Sequence, residues 1–313
     1  MRKILEAIDK NVNSKSWPCL YPGCQEVAIN SHLLQRNSVL STLVENGHLY
    51  ELSTAGSFQL EPGRIREFKL TSAKKALSEP LFCNHHDHSV FLPIESNDSD
   101  WTAYVNQILF AYRSTCSELR KKQRAIETGR RRAQSNILSA SWAQSRGPQT
   151  VEEMRMGIAD LEHFKRDMEE DILSGTNHFE FVTCDFPILD VCASAVFTPV
   201  VNPIASMIPE EPVSTEFLNI IPTNGRLKVI VGHHKIHVDS PTLSHVHEWS
   251  KMDAEALEQK LTNLFASRLE TWCLSPRLYR QIPKGKLTGI LQFWNNPAHH
   301  HLYEEQVDFN LFR

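Results

Sequence analysis

No stretch of this 313-residue chain approaches the roughly eighteen consecutive apolar residues that a membrane span needs. The chain lacks a glycine-rich phosphate loop, a nucleophile elbow and a His-Glu-x-x-His helix, which argues against nucleotide-dependent chemistry. The run from Met1 to Trp17 is amphipathic and charged, without the apolar core or small-residue cleavage site of a secretory signal. A large excess of either charge is also missing. A net charge of −4, with 41% hydrophobic and 22% charged residues, describes an ordinary globular protein and argues against one that coats nucleic acid nonspecifically. The cysteines number seven, which is odd, and form no dense framework, so a reducing, cytoplasmic setting is expected. Cys116, Cys184, Cys192 and Cys273 sit in apolar contexts and read as small core residues.

Among what is present, two short runs stand out: Cys19-Leu-Tyr-Pro-Gly-Cys24 and Cys83-Asn-His-His86-Asp87-His88. A structural zinc takes four ligands, most often thiolates and imidazoles, from two short knuckles. Cys19 and Cys24 supply one pair, with Pro22 and Gly23 as the turn between them. Cys83 and His86 supply the other at the usual two-residue gap, and His85 or His88 could replace His86. The long interval between the knuckles makes residues 33–80 an insertion.

Three regions follow from the pattern: 1–100, irregular and holding the Cys/His groups; 101–175, two long helices; and 176–313, mixed strand and helix. The fold class is therefore α+β, with an N-terminal zinc module, a central antiparallel helical hairpin and a C-terminal mixed region with antiparallel strands. Trp101, Val105, Ile108, Leu109, Tyr112, Cys116 and Leu119 form one helical stripe, which Asp98 or Ser99 would cap. Val151, Met154, Ile158, Leu161, Phe164, Met168 and Ile172 form the second, with Thr150 and Glu153 as a capping box and Gly175 as the C-terminal stop. The first arm is basic and the second acidic, so the two are expected to pair or stay solvated. Arg130-Arg131-Arg132 at the tip, and Arg36, are the candidates for phosphate contact.

Further on, His178 to Cys184 alternates as a strand. Asn224-Gly225 joins Leu218–Ile221 to Leu227–Val231 as a hairpin, with Pro222 at the strand end. Ser250 and Asp253 open a helix that buries Leu257, Leu261, Leu264, Phe265 and Trp272 and stops at Pro276. Hydrogen-bonded or surface roles are expected for His233, His234 and His237 at a strand end, for His245 and His247 on an extended segment, and for His299-His300-His301. Asp185 and Asp190 read as loop caps.

The order Cys19, Cys24, His32, Cys83, His86, Asp87, His88 resembles the treble-clef modules of HNH nucleases. That resemblance implies His32 as general base and Asp87 or His88 as ligand of a catalytic Mg²⁺ or Mn²⁺, beside the structural zinc. It makes Asn37 and Asn46 candidates for orienting the base, and it implies DNA or RNA as substrate. Ser31 stands where that family usually carries a second metal ligand. The runs Ala28 to His32, Phe82 to Asp87 and Phe91 to Glu95, with Ala111-Tyr112-Arg113 and Glu118-Leu119, also resemble a group of bacterial proteins with an N-terminal zinc module. This second likeness implies anti-phage defence and a defence-system partner protein. The competing expectation is a non-catalytic interaction or nucleic-acid-binding subunit, with zinc purely structural and the helical hairpin as the docking surface.

Overall fold

The computed structural model describes residues 2–54, 66–95, 99–199, 211–296 and 306–313. Asp98 and the His299-His300-His301 run lie outside the described residues. The chain is α+β. Its main element is a seven-stranded antiparallel sheet built from β2 (His48–Thr54), β3 (Arg66–Ser72), β5 (Phe179–Pro187), β6 (Val191–Phe197), β7 (Glu216–Thr223), β8 (Arg226–His234) and β9 (Trp272–Leu274). Their spatial order is β3-β2-β9-β6-β7-β8-β5. A separate two-stranded ladder pairs β1 (Asn30–His32) with β4 (Ser78–Pro80).

Both faces of the large sheet are covered, so its central strands read as continuous apolar runs rather than as alternation. On β7, Phe217 and Ile221 join one core and Leu218 and Ile220 the other; on β8, Ile230 is divided from Val229 and Val231 in the same way. The first core is closed by α3 (Tyr104–Ala133) and α5 (Gly147–Ser174) through Ile108, Leu109, Tyr112, Cys116, Phe164 and Met168. The second is closed by α6 (Ser240–Glu248), α7 (Ala254–Ser267) and α9 (Lys284–Asn295), which follows α8 (Pro276–Gln281). Helix α1 (Arg2–Asn13) packs Leu5, Ile8 and Val12 with Trp17 and Leu138, the residue just before α4 (Ser139–Ala143).

The Asn224-Gly225 hairpin forms as expected. Both residues are left-handed, at φ 49° and 72°, and they join β7 to β8 with Thr223 opposite Arg226. Pro222 lies beyond the last β6–β7 pair, Ala193–Ile220, so its missing N–H costs no ladder bond. Gly175 ends α5 at φ 71°, and its N–H donates to the Asp171 carbonyl.

Several local expectations are corrected. The first long helix starts at Tyr104, so Trp101 lies in the preceding turn and Val105 is 49% exposed. Helix α5 begins at Gly147 with Pro148 in its first turn. Thr150 therefore lies inside the helix, where its hydroxyl donates to the Arg146 carbonyl instead of forming a capping box. Asp253 caps α7 through the Ala256 N–H, but the helix ends at Ser267. Trp272 belongs to β9, buried between β2 and β6, and Pro276 opens α8 rather than stopping α7. His245 and His247 lie on helix α6, which Asp239 caps through the Thr242 N–H. Asp185 pairs with Lys228, and Asp190 accepts from Ser275 and Arg277.

Several basic residues of α3 find partners other than the acids of α5. Arg120 donates to the Pro18 carbonyl, Lys121 to Thr271, and Arg124 to Glu79 and Asn13, which ties the helix to the N-terminal region and the sheet. Two tyrosines of α3 meet the acids instead: Tyr112 donates to Glu169 and Tyr104 to Asp171. Among the described residues, no helix is long and apolar enough to cross a membrane.

Candidate metal centre

The first knuckle folds because Gly23 takes φ 73°, letting the Cys24 N–H reach back to the Tyr21 carbonyl at 3.2 Å. The knuckle is pinned by Cys19 N–H to the Glu26 carbonyl at 2.8 Å and by Leu20 N–H to the Leu81 carbonyl at 2.9 Å. That second bond brings it to the chain leaving β4. There Cys83 occupies the N-cap of α2 (Asn84–Ser89), and His86 lies one turn on, so thiolate and imidazole share one side of the helix start.

The four ligand atoms converge. Cys83 Sγ lies 3.2 Å and Cys19 Sγ 3.6 Å from His86 Nδ1, and Cys24 Sγ lies 3.9 Å from Cys83 Sγ. All four atoms lie within 4.8 Å of one another. Tetrahedral zinc with ordinary bond lengths separates its ligand atoms by roughly 3.7 Å, so the cluster fits the ion without rearrangement of the backbone. Among the described residues no other group of three or more such ligands is gathered this closely. The sequence left His85, His86 and His88 open; His86 supplies the imidazole, stacked on Tyr21 with ring centroids 4.0 Å apart.

Electrostatics also suit a cation. Burial pushes the Cys19 thiol up to about 11. At Cys83 burial acts in the same direction but is outweighed by the His86 backbone N–H and the neighbouring thiols, and the net shift is downward. Burial lowers His86, which keeps its imidazole neutral and able to ligate. A zinc ion here would hold the thiolates deprotonated against the cost of burying them.

His32 ends β1, opposite Ser78 on β4, and α2 follows β4 directly. Its Nε2 lies 2.9 Å from the Ala73 carbonyl oxygen. A carbonyl only accepts, so the ring proton sits on Nε2 and Nδ1 keeps its lone pair. Burial lowers the basicity of His32; Arg36 and Arg113 push the same way, against the Ala73 hydrogen bond and the charge of Asp87. Asp87 Oδ1 is buried with no hydrogen-bond partner. Arg113 is itself buried, stacked 3.9 Å from the Phe91 ring centroid and paired with Glu95 at 2.9 Å. Nothing local in the sequence marks Arg113 or the Ala73 carbonyl as neighbours of His32, because both reach it across the fold.

Other candidates fall elsewhere. Ser31 points inward, fully buried, and its hydroxyl accepts from the Phe82 N–H at 3.3 Å, so it offers no ligand atom to solvent. His88 is exposed on α2. Asn37 accepts from Arg36 Nε, and Asn46 sits in the turn before β2 at φ 50°, so Ala73 takes the place of an asparagine on His32. Arg36 is exposed. Arg130 and Arg131 both donate to Glu127, which holds that carboxyl down to about 2, and Arg132 lies 3.9 Å from Asp9. No family model, curated protein or solved structure matches this chain.

Proposed function

We propose that the zinc-organised N-terminal module is a phosphodiesterase centre of treble-clef, HNH-like design that acts on DNA or RNA, with His32 as general base. The observation that carries this reading is the state of His32: its proton is tied to the Ala73 carbonyl, its basicity is lowered, and its free Nδ1 stays unprotonated near neutral pH. The order of parts adds support, since a knuckle, a strand bearing the histidine, a paired strand and a ligand-bearing helix follow one another along the chain.

In this reading His32 Nδ1 takes a proton from water as the water oxygen bonds to phosphorus, and the phosphorus–oxygen bond to the leaving nucleotide breaks. Asp87, with an unpartnered carboxylate oxygen, would hold a Mg²⁺ or Mn²⁺ ion, and such an ion supplies positive charge to the leaving oxygen. Exposed Arg36 would steady the phosphate. His88 is the second candidate ligand, by resemblance alone. The zinc centre does no chemistry; it holds β1, β4 and α2 in register.

The test is incubation of zinc-loaded protein with plasmid DNA and with RNA in Mg²⁺ or Mn²⁺. The expected result is metal-dependent cleavage that falls about 100-fold or more in His32→Ala, the usual scale for losing a general base. Equal behaviour of wild type and variant under every condition would overturn the reading and leave zinc with a purely structural role.

A further inference from the structure

A second group of metal-binding side chains lies far from the cysteine centre, where α5 crosses the end of β8. His163 and Asp167 stand one turn apart on α5, and His234 closes β8, with His237 three residues on. Asp167 Oδ2 lies 3.1 Å from His234 Nε2 and 3.4 Å from His163 Nε2. The His237 ring centroid is 4.8 Å from that of His163 and 4.7 Å from that of His234.

The hydrogen bonds assign different roles to these rings. His234 Nδ1 receives the backbone N–H groups of Ile236 at 3.1 Å and His237 at 3.0 Å. Both are donors, so Nδ1 accepts, and the His234 proton must sit on Nε2, directed at Asp167. His234 is therefore a buried donor to the carboxylate rather than a free ligand. His163 Nε2 is buried and makes no hydrogen bond, although the Asp167 oxygen is close by. Arg166 Nη2 lies 3.5 Å from Nδ1 of the same ring, so ligation through Nε2 requires the ring to give up that contact and carry its proton on Nδ1. His163, Asp167 and His237 are each only partly buried, whereas the His234 side chain below them is 2% exposed. Asp171, one turn further along α5, differs: it already accepts from Tyr104, Thr176 and both the backbone and ring of His178.

We propose that His163, Asp167 and His237 form a second cation site for a divalent first-row transition ion, with His234 as the buried donor that orients Asp167. Two imidazoles and one carboxylate suit such ions and leave coordination positions open. A ligating carboxylate held by a hydrogen-bonding partner is the usual second layer of such a site. The three ligand atoms are not drawn together as tightly as those of the cysteine centre. Closing the site requires rotation of the partly exposed His163 and His237 side chains, with Asp167 already held.

The test is titration of full-length, zinc-loaded protein carrying Asp87→Ala, which removes the cation position proposed beside His32, with Co²⁺, followed by calorimetry and visible absorption. This protein is the parent for the variants below. The expected result is one further ion per chain, with d–d bands but no thiolate charge-transfer band. Asp167→Asn and His237→Ala should each abolish it while retaining the cysteine-bound zinc, which reports that the chain is folded. His234→Gln should weaken it about tenfold or more, the usual effect of losing a ligand's hydrogen-bonding partner. His237→Ala changes a partly exposed residue outside the strands and helices, so it keeps the test clear of folding defects. A titration showing no ion beyond the cysteine-bound zinc would overturn the proposal. So would a second ion that all three variants bind as the parent does.

Discussion

Cys83 occupies the N-cap position of α2 and is one of the four side chains gathered as the candidate metal centre. Replacing it by alanine leaves three ligands around a half-buried site. Cys83→Ala is expected to lose stoichiometric zinc by elemental analysis and to cost about 4 kcal/mol or more, the range typical of a lost metal; unchanged zinc content and denaturation midpoint would contradict the assignment. At this scale the sequence was informative for a physical reason. Cysteines and histidines at knuckle spacing, with Pro22-Gly23 between the first pair, constrain the local backbone whatever the rest of the chain does. The choice among His85, His86 and His88 was not legible, because it depends on which residue of a helix starting at Cys83 faces back to the knuckle. Nor was the inward turn of Ser31, which follows from the register of β1 on β4 and from the Phe82 N–H that needs an acceptor.

Among the elements, turn chemistry was the most readable signal. Asn224-Gly225 and Gly175 announced a hairpin and a helix end because few other residues tolerate the left-handed backbone each position adopts. Apolar periodicity located both long helices but not their ends, since tertiary contacts decide where a stripe stops. The misread β9 shows the limit: Trp272 continues the spacing of α7, yet a site between two strands demands an extended backbone there. Helix α6 was missed although Asp239-Ser240-Pro241 is a helix-start signal, because the histidines that follow suggested extended chain. One close contact gives a test of the β5–β8 edge. A Cβ added at Gly232 would lie 2.2 Å from Cδ1 of Phe181 on the paired strand. Gly232→Ala should therefore displace that ring and cost about 1–3 kcal/mol in chemical denaturation, the scale of overpacking; a neutral change would mean the ring is free to move.

For the whole molecule, the long insertion between the two knuckles proves to be structural. It contributes β2 and β3 to the same sheet that the C-terminal strands build, and Leu52 joins the core beneath α6 to α9. The metal module in turn rests on α3, with Phe82 and Phe91 ring centroids 5.7 and 6.1 Å from that of Tyr112. No local pattern reveals such pairings between distant segments, which is why the sequence read residues 1–100 as irregular. A fragment of residues 1–100 is accordingly expected to lack a cooperative thermal transition even with zinc bound, because β2 loses β9 and Phe82 loses Tyr112. A sharp transition in that fragment would show that the module stands alone.

The proposed role of a neutral His32 as base in a zinc-held module is decided by the pH dependence of kcat/KM for nucleic-acid cleavage in Mg²⁺. Burial lowers His32 below its ordinary value of 6.5, so the free base is already present at neutral pH. The rate should rise through an acidic limb centred below 6.5 and stay level from there to pH 8. A limb centred above pH 7, or one that persists unchanged in His32→Ala, would contradict the assignment.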